Sequence, residues 1–119
     1  YDGKIEMRGG IDSQILGIGT NGHIAFNEPG CSQDSTTRNV NLSENTRKDN
    51  SRFFPSLEQT PTFAYTMGIS TIMKAKKIFL LGGQNKKDIM NEAAFDPITS
   101  DVPASYLQEH DNVEFILYD

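Results

Sequence analysis

The sequence has one cysteine, Cys31, and no tryptophan among its 119 residues. A single cysteine cannot form an internal disulfide, which excludes a disulfide-stabilised scaffold and fits a reducing cytoplasm. No apolar run approaches the ~20 residues that a membrane-spanning helix needs. We therefore expect a globular, cytoplasmic domain with no membrane partner.

Positive charge is also scarce in this chain. Acidic residues number 16 and basic residues 11, and the formal net charge at pH 7 is −5. Nucleic acids are bound largely through lysine and arginine contacts to phosphates, so this balance argues against a nucleic-acid partner. It leaves room for a local basic pocket that could hold a small anion.

Three short segments rich in apolar residues, 13–19, 77–81 and 113–118, have the composition of strands buried on both faces of a parallel sheet. Helical patterns lie between them, at 43–52 after the N-cap candidate Ser43, at 66–75, at 85–94 and at 103–107. The sequence therefore predicts a three-layer, Rossmann-like α/β fold with helices flanking a parallel sheet. Such sheets usually have more strands, so we expect residues 1–119 to be the C-terminal portion of a single domain.

Residues 17–30 read GIGTNGHIAFNEPG and begin with G-x-G-x-x-G, the dinucleotide-binding fingerprint. That fingerprint requires its third glycine to open a long helix. Here HIAFNE and then Pro29 follow Gly22, and a proline inside a helix costs about 3 kcal/mol. The alternative is a loop at the carboxyl end of a parallel strand, where Gly17 and Gly19 let backbone amides approach a ligand.

The titratable residues of this loop are His23 and Glu28. A glutamate beside a histidine orients the imidazole and raises its basicity, which suits proton transfer near neutral pH. Their spacing puts them on different faces of a straight helix, so a turn at NEPG must bring them together. The alternative is that His23 only bonds the local backbone and that Glu28 is solvated.

The segment GIGTNGHIAFNEPG resembles the catalytic segment of the glucosamine-6-phosphate deaminase family. The resemblance continues along nearly the whole chain, in GGID at 9–12, NSRFF at 50–54, AYTMG at 64–68 and PASYL at 103–107. The related 6-phosphogluconolactonases share a G-H-T-A motif at this site but lack the N-E-P continuation. Glu28 is therefore the residue that best separates the two families.

Members of this family convert glucosamine 6-phosphate and water to fructose 6-phosphate and ammonia in amino-sugar catabolism. The resemblance implies that His23 is the acid–base group for opening the sugar ring and that Glu28 orients and tunes it. Asn21 completes the catalytic set, and it stands where many members carry aspartate, which favours a hydrogen-bonding role. Gly17 and Gly19 are implied to border the substrate.

The resemblance also implies a phosphate-binding pair of cations. Arg52 matches the arginine of the N-S-R-F-F motif, and its guanidinium can bind a phosphate bidentately. Lys86 follows the Gly82-Gly83 turn between a strand and a helix, an arrangement suited to anions. Lys87 is the competing candidate, and the ordinary alternative for all three side chains is simple exposure.

The family's enolising aspartate and an N-terminal phosphate-binding loop lie upstream of the matching region, so this chain alone is expected to be a poor catalyst. No metal and no organic cofactor are implied, and a homo-oligomer is allowed. Arg38 matches a segment used for effector activation in some members, but Cys31 and Val40 lack the polar or basic groups expected there. The sequence leaves open galactosamine 6-phosphate as the substrate, or a non-catalytic phosphosugar-binding fragment.

Overall fold

A parallel sheet of three strands forms the centre of the computed structural model, which describes residues 1–119. The strands of the whole chain are β1 (Ser13–Gly17), β2 (Arg38–Asn41), β3 (Phe63–Thr66), β4 (Lys77–Gly83) and β5 (Val113–Tyr118). The parallel sheet has the order β1-β4-β5, with Leu16 opposite Leu80 and Leu80 opposite Phe115. The three predicted strands and their parallel pairing are confirmed, although β1 ends earlier and β4 extends further than predicted.

The helices are short. They are α1 (Asp2–Met7), α2 (Glu44–Asn50), α3 (Ile69–Met73) and α4 (Lys87–Phe95), with 3₁₀ turns at Ser51–Phe53, Gln84–Lys86 and Pro103–Glu109. The predicted helix at 85–94 thus begins as a 3₁₀ turn, and the one predicted at 103–107 is a 3₁₀ helix throughout. None of these helices has the length and apolar character required to cross a membrane.

The core lies on one face of the parallel sheet. Leu16, Ile78 and Leu80 point to this face and are buried, together with apolar residues of α3, α4 and Pro103–Glu109. On the opposite face Ile15 is 66% exposed and Tyr118 is 55% exposed. The expectation that the strands are buried on both faces therefore differs from the structure, because within these residues the helices pack on one side only.

A second, two-stranded sheet pairs β2 with β3 in antiparallel orientation, with Arg38 opposite Thr66. The prediction of one helix over 66–75 is wrong at its start, because Thr66 ends β3 and Gly68 is the N-cap of α3. Pairing with a distant strand overrides the local helical pattern here. The helix α1 also has no counterpart among the helical segments that the sequence predicts.

The helix α2 begins as the sequence predicts. The hydroxyl of Ser43 accepts a hydrogen bond from the backbone N–H of Thr46 at 3.1 Å, so Ser43 is the N-cap. The helix ends at Asn50, and the 3₁₀ turn Ser51–Phe53 continues it and carries Arg52. This segment brings Arg52 towards the carboxyl end of β1, where the glycine-rich loop begins.

Candidate active site

The loop that follows β1 turns back on itself immediately. The backbone N–H of Gly22 donates to the carbonyl of Gly19, and the N–H of Gly19 donates to the carbonyl of His23, both at 2.9 Å. No helix follows Gly22, as the proline at position 29 led us to expect. The glycine spacing therefore serves a tight turn, and no helix N-terminus is available there for a pyrophosphate.

The glycines of this turn differ in what surrounds them. A Cβ on Gly19 would overlap the imidazole of His23, with Nε2 only 2.6 Å away, so the ring packs directly on this glycine. Gly22 has a φ of +86°, and its Cβ would lie 2.7 Å from a methyl carbon of Val102. Around Gly17 no atom lies within 4 Å of the Cβ position, so this glycine borders open space.

Asn21 lies between His23 and Glu28 and joins them. Its side-chain oxygen accepts hydrogen bonds from Nδ1 of His23 at 2.7 Å and from the backbone N–H of His23 at 3.1 Å. Its amide nitrogen donates to Oε2 of Glu28 at 2.9 Å. Nδ1 of His23 is 3.8 Å from that carboxylate oxygen. The predicted meeting of His23 and Glu28 therefore occurs, but the direct partner of the imidazole is Asn21.

This arrangement fixes the tautomer of the histidine. An ionised carboxylate only accepts hydrogen bonds, so the NH₂ group of Asn21 must face Glu28 and its oxygen must face His23. Nδ1 of a neutral His23 then carries the proton, because an oxygen acceptor needs a donor opposite it. The other nitrogen, Nε2, keeps its lone pair and can accept a proton from a ligand.

The charge state of His23 is set by its surroundings. Its side chain and that of Glu28 are each 18% exposed. Burial lowers the pKa of His23 below its usual value, and this outweighs the negative charge of Glu28, which raises the pKa. The ammonium of Lys86 lowers it further, and the carboxylate of Asp49 raises it. The imidazole is therefore neutral near pH 7, and the expected gain in basicity from Glu28 is outweighed by desolvation.

Beside His23 opens a pocket of about 340 Å³ at the carboxyl ends of β1 and β4. Ligands of open α/β sheets bind at this edge. The pocket is lined by the main chain after β1, by α2 and by the turn after β4: Gly17, Ile18, Gly19, His23, Ala25, Thr46, Asp49, Asn50, Arg52 and Lys86. Of the predicted site residues, His23, Arg52, Lys86, Gly17 and Gly19 thus line one pocket.

The two predicted phosphate-binding cations are held differently. Arg52 is exposed, lies 4.7 Å from the ring centroid of Phe53, and forms no ion pair with a carboxylate. Lys86 is half-buried, and its ammonium donates to the carbonyl of Ile18 at 2.8 Å. Lys87 is exposed and begins α4 outside the pocket lining. The geometry therefore favours Lys86 over Lys87.

Sequence reasoning missed two polar neighbours of this site. The hydroxyl of Thr46 donates to Oε1 of Glu28, across 18 residues of sequence. Asp49 lines the pocket one helical turn further along α2. The only sequence signal was the N-cap Ser43, which locates the start of the helix but not the side chains that its first turn contacts.

The other histidine, His110, plays a structural part. Nδ1 of His110 accepts from the backbone N–H of Asn112 at 2.9 Å, so Nε2 is the donor to the carbonyl of Ala75 at 2.6 Å. No three His, Cys, Asp or Glu side chains lie together as a metal-binding group. The absence of a metal and of a cofactor stays a prediction.

Comparison with known proteins gives consistent relatives. No family model matches the chain. It is 51% identical over 117 residues to a glucosamine-6-phosphate deaminase of Lachnoclostridium phytofermentans, covering 98% of this chain and 50% of that protein. It is 48% identical over 118 residues to the glucosamine-6-phosphate deaminase of Rhodopirellula baltica, covering 98% of this chain and 47% of that protein. The chain therefore spans about half the length of the curated relatives that it matches.

Solved structures agree with these relatives. A monomeric glucosamine-6-phosphate deaminase of the NagB superfamily superposes with a TM-score of 0.94 at 43% identity, over 98% of this chain and 49% of that one. A 6-phosphogluconolactonase from Trypanosoma cruzi superposes with a TM-score of 0.65 at 22% identity, over 98% of this chain and 46% of that one. The second match supports the fold alone, which is the predicted parallel α/β architecture.

Proposed function

We propose, from the premise that this chain belongs to the glucosamine-6-phosphate deaminase family, that the full-length protein converts glucosamine 6-phosphate and water to fructose 6-phosphate and ammonia. Here the full-length protein means this chain together with the other half that its relatives carry. We further propose that residues 1–119 are the C-terminal portion of a single domain, as the resemblance of the motifs implies.

The observation that carries this proposal is that His23, Arg52 and Lys86 line one pocket. Nε2 of His23 is the nitrogen left free by the contact of Nδ1 with Asn21. A neutral base beside two cations suits a sugar phosphate, because the cations bind the phosphate and leave the base facing the sugar ring. Gly17 supports the same interpretation, since the open space beside it leaves room for a ligand against the backbone.

In the proposed mechanism Arg52 and Lys86 hold the phosphate and thereby position the sugar. Nε2 of His23 takes the proton of the anomeric hydroxyl, the bond between C1 and the ring oxygen breaks as the C1 carbonyl forms, and the imidazolium returns that proton to the ring oxygen. Glu28, acting through Asn21, keeps the imidazole in the tautomer that this transfer requires. The resemblance assigns removal of the C2 proton to an aspartate in the other half, so the 119-residue chain alone is expected to bind without turnover.

The experiment is an assay of the full-length protein for release of ammonia and fructose 6-phosphate. Glucosamine 6-phosphate is expected to turn over, and unphosphorylated glucosamine is expected to fail because it cannot engage Arg52 and Lys86. Galactosamine 6-phosphate is assayed in parallel. Faster turnover of that epimer would show that galactosamine 6-phosphate, and not glucosamine 6-phosphate, is the preferred substrate. The absence of ammonia from both phosphosugars, despite binding in a calorimeter, would favour a non-catalytic phosphosugar-binding protein.

Some expectations rest on the resemblance and on composition alone. The cytoplasmic location and the role in amino-sugar catabolism remain predictions. A homo-oligomeric state also remains a prediction, and the similar deaminase of known structure is described as monomeric. Light scattering of the full-length protein gives its association state directly.

A further inference from the structure

We propose that Thr46 is a positioning residue, whose hydroxyl holds Glu28 in the orientation that lets Asn21 fix the tautomer of His23. Its effect on the tautomer follows from the contacts described above. Its effect on rate rests on the proposed function, in which the free Nε2 of His23 moves the proton. The effect on the tautomer and the effect on the rate can be measured separately.

The first observation is the environment of Thr46. Its side chain lies in the first turn of α2, and the residue is 2% exposed. Its hydroxyl donates to Oε1 of Glu28, which uses the only proton that a threonine hydroxyl carries. The hydroxyl of Ser43 lies 3.0 Å from Oγ1 of Thr46 and can donate to it. Ser43, Thr46 and Glu28 thus form a chain of hydrogen bonds whose members polarise one another.

The second observation is that the two carboxylate oxygens of Glu28 accept hydrogen bonds from different donors. Oε2 accepts from the amide of Asn21, and Oε1 accepts from Thr46, with Ser43 more distant at 3.4 Å. The last torsion of a glutamate is soft, so a carboxylate held at one oxygen can rotate. Contacts at both oxygens prevent that rotation. Without the Thr46 hydroxyl only the more distant Ser43 remains as a donor to Oε1, so the carboxylate is held less firmly and the amide of Asn21 is freer to turn over.

The third observation is the place of Thr46 on α2. The amide of Asn50 donates to the carbonyl of Thr46 at 3.0 Å, and Arg52 follows in the next turn. This short helix therefore contacts the carboxylate that orients the base, and the 3₁₀ turn that continues it carries a proposed phosphate-binding cation. A shift of α2 would move both groups, whereas loss of the Thr46 hydroxyl removes only its contacts with Glu28 and Ser43.

The test compares Thr46→Val with Thr46→Ser in the full-length protein. Nitrogen-15 NMR of the His23 ring reports which nitrogen carries the proton. In the wild-type protein and in Thr46→Ser, which keeps the hydroxyl, Nδ1 is expected to be protonated. In Thr46→Val, which keeps the shape and loses the hydroxyl, a mixture of the two tautomers is expected. The kcat for glucosamine 6-phosphate should fall by about 10- to 100-fold, with KM little changed, by analogy with the loss of partners that orient metal-bound histidines.

Thr71 supplies a matched control. It is also a buried threonine, 6% exposed, whose hydroxyl donates to a carboxylate, that of Asp2, at 2.8 Å. Thr71→Val loses a similar hydrogen bond away from the pocket, so it should lower the melting temperature without changing the spectrum of His23. Thr46→Ala is prepared alongside Thr46→Val. Valine places a methyl group against the carboxylate of Glu28, and if that variant does not fold, Thr46→Ala still tests loss of the hydroxyl.

A wild-type His23 spectrum in folded Thr46→Val or folded Thr46→Ala would overturn the proposal, even if kcat falls. A change of the His23 spectrum that also occurs in Thr71→Val would overturn it as well, because the effect would then be one of general destabilisation. Failure of the proposed function is distinguishable, since the NMR measurement needs no substrate and decides the role of Thr46 in a protein without deaminase activity.

Discussion

The side-chain oxygen of Asn21 lies 2.7 Å from Nδ1 of His23 and is the direct partner of the imidazole. A neutral amide can hold the ring in place without adding charge beside it. The proton affinity of His23 is therefore set by burial and by the charges of Glu28, Lys86 and Asp49. Asn21 therefore contributes geometry and no charge, whereas Glu28 contributes to both, by orienting the amide of Asn21 and by its own negative charge.

Replacing Asn21 by aspartate should raise the pKa of His23. The substitution puts a negative charge against Nδ1, at the position of an oxygen now 2.7 Å away, and a carboxylate there favours the imidazolium. An NMR titration of His23 in the two proteins measures the shift. A pKa that is unchanged or lower in Asn21→Asp would contradict the assignment of Asn21 as the direct partner.

Two substitutions that remove charges of opposite sign near His23 should move its pKa in opposite directions. Lys86→Met removes a positive charge that lowers the pKa, so the pKa should rise. Asp49→Asn removes a negative charge that raises it, so the pKa should fall. The same titration measures both, with Lys87→Met as the control that should leave His23 unchanged. Shifts of the same sign in the first two variants would show that the charges around His23 are arranged differently.

Arg52→Ala should weaken binding of the phosphosugar more than it slows turnover. A hydrogen bond to a charged group contributes about 1.5–3 kcal/mol, which corresponds to roughly 10- to 100-fold in KM. Arg52 has no carboxylate partner to lose in the free protein, so the fold should be unaffected. Steady-state kinetics measure KM, and Lys87→Ala serves as a control of equal charge change. Equal KM values in Arg52→Ala and Lys87→Ala would remove Arg52 from the phosphate site.

Replacement of Gly17 and of Gly19 by alanine should have different effects, the first on substrate binding and the second on the position of the His23 imidazole. Gly17→Ala has open space around it, so the fold and the His23 spectrum should be unchanged while KM rises. Gly19→Ala forces the imidazole to move, so the His23 spectrum should change and kcat should fall. Identical effects of the two variants on His23 would contradict this division of roles.

The sequence was sufficient for the elements that local pattern determines. The strands β1, β4 and β5 follow from apolar segments, and the N-cap Ser43 follows from residue type and position. It was insufficient for β3, because the segment 63–66 is a strand only through pairing with residues 38–41, which are distant in the chain.

The contacts within the site also depend on residues that are distant in the chain, and the sequence alone does not predict them. The motifs named Asn21, His23 and Glu28, but only the loop geometry shows that Asn21 stands between the other two. The contact between Thr46 and Glu28 joins a helix to a loop, and no local signal in the sequence reports it. Residue types could therefore identify the chemistry, whereas the order of the contacts required the structure.

In the proposed function His23 is the acid–base group of a phosphosugar deaminase. The most direct measurement is ammonia release from glucosamine 6-phosphate by the full-length protein and its His23→Ala variant, with phosphosugar binding measured by calorimetry. We expect turnover to fall by about 10²- to 10⁴-fold, the usual contribution of a general acid–base group, while binding is retained. Unchanged turnover in a folded His23→Ala protein would contradict the account.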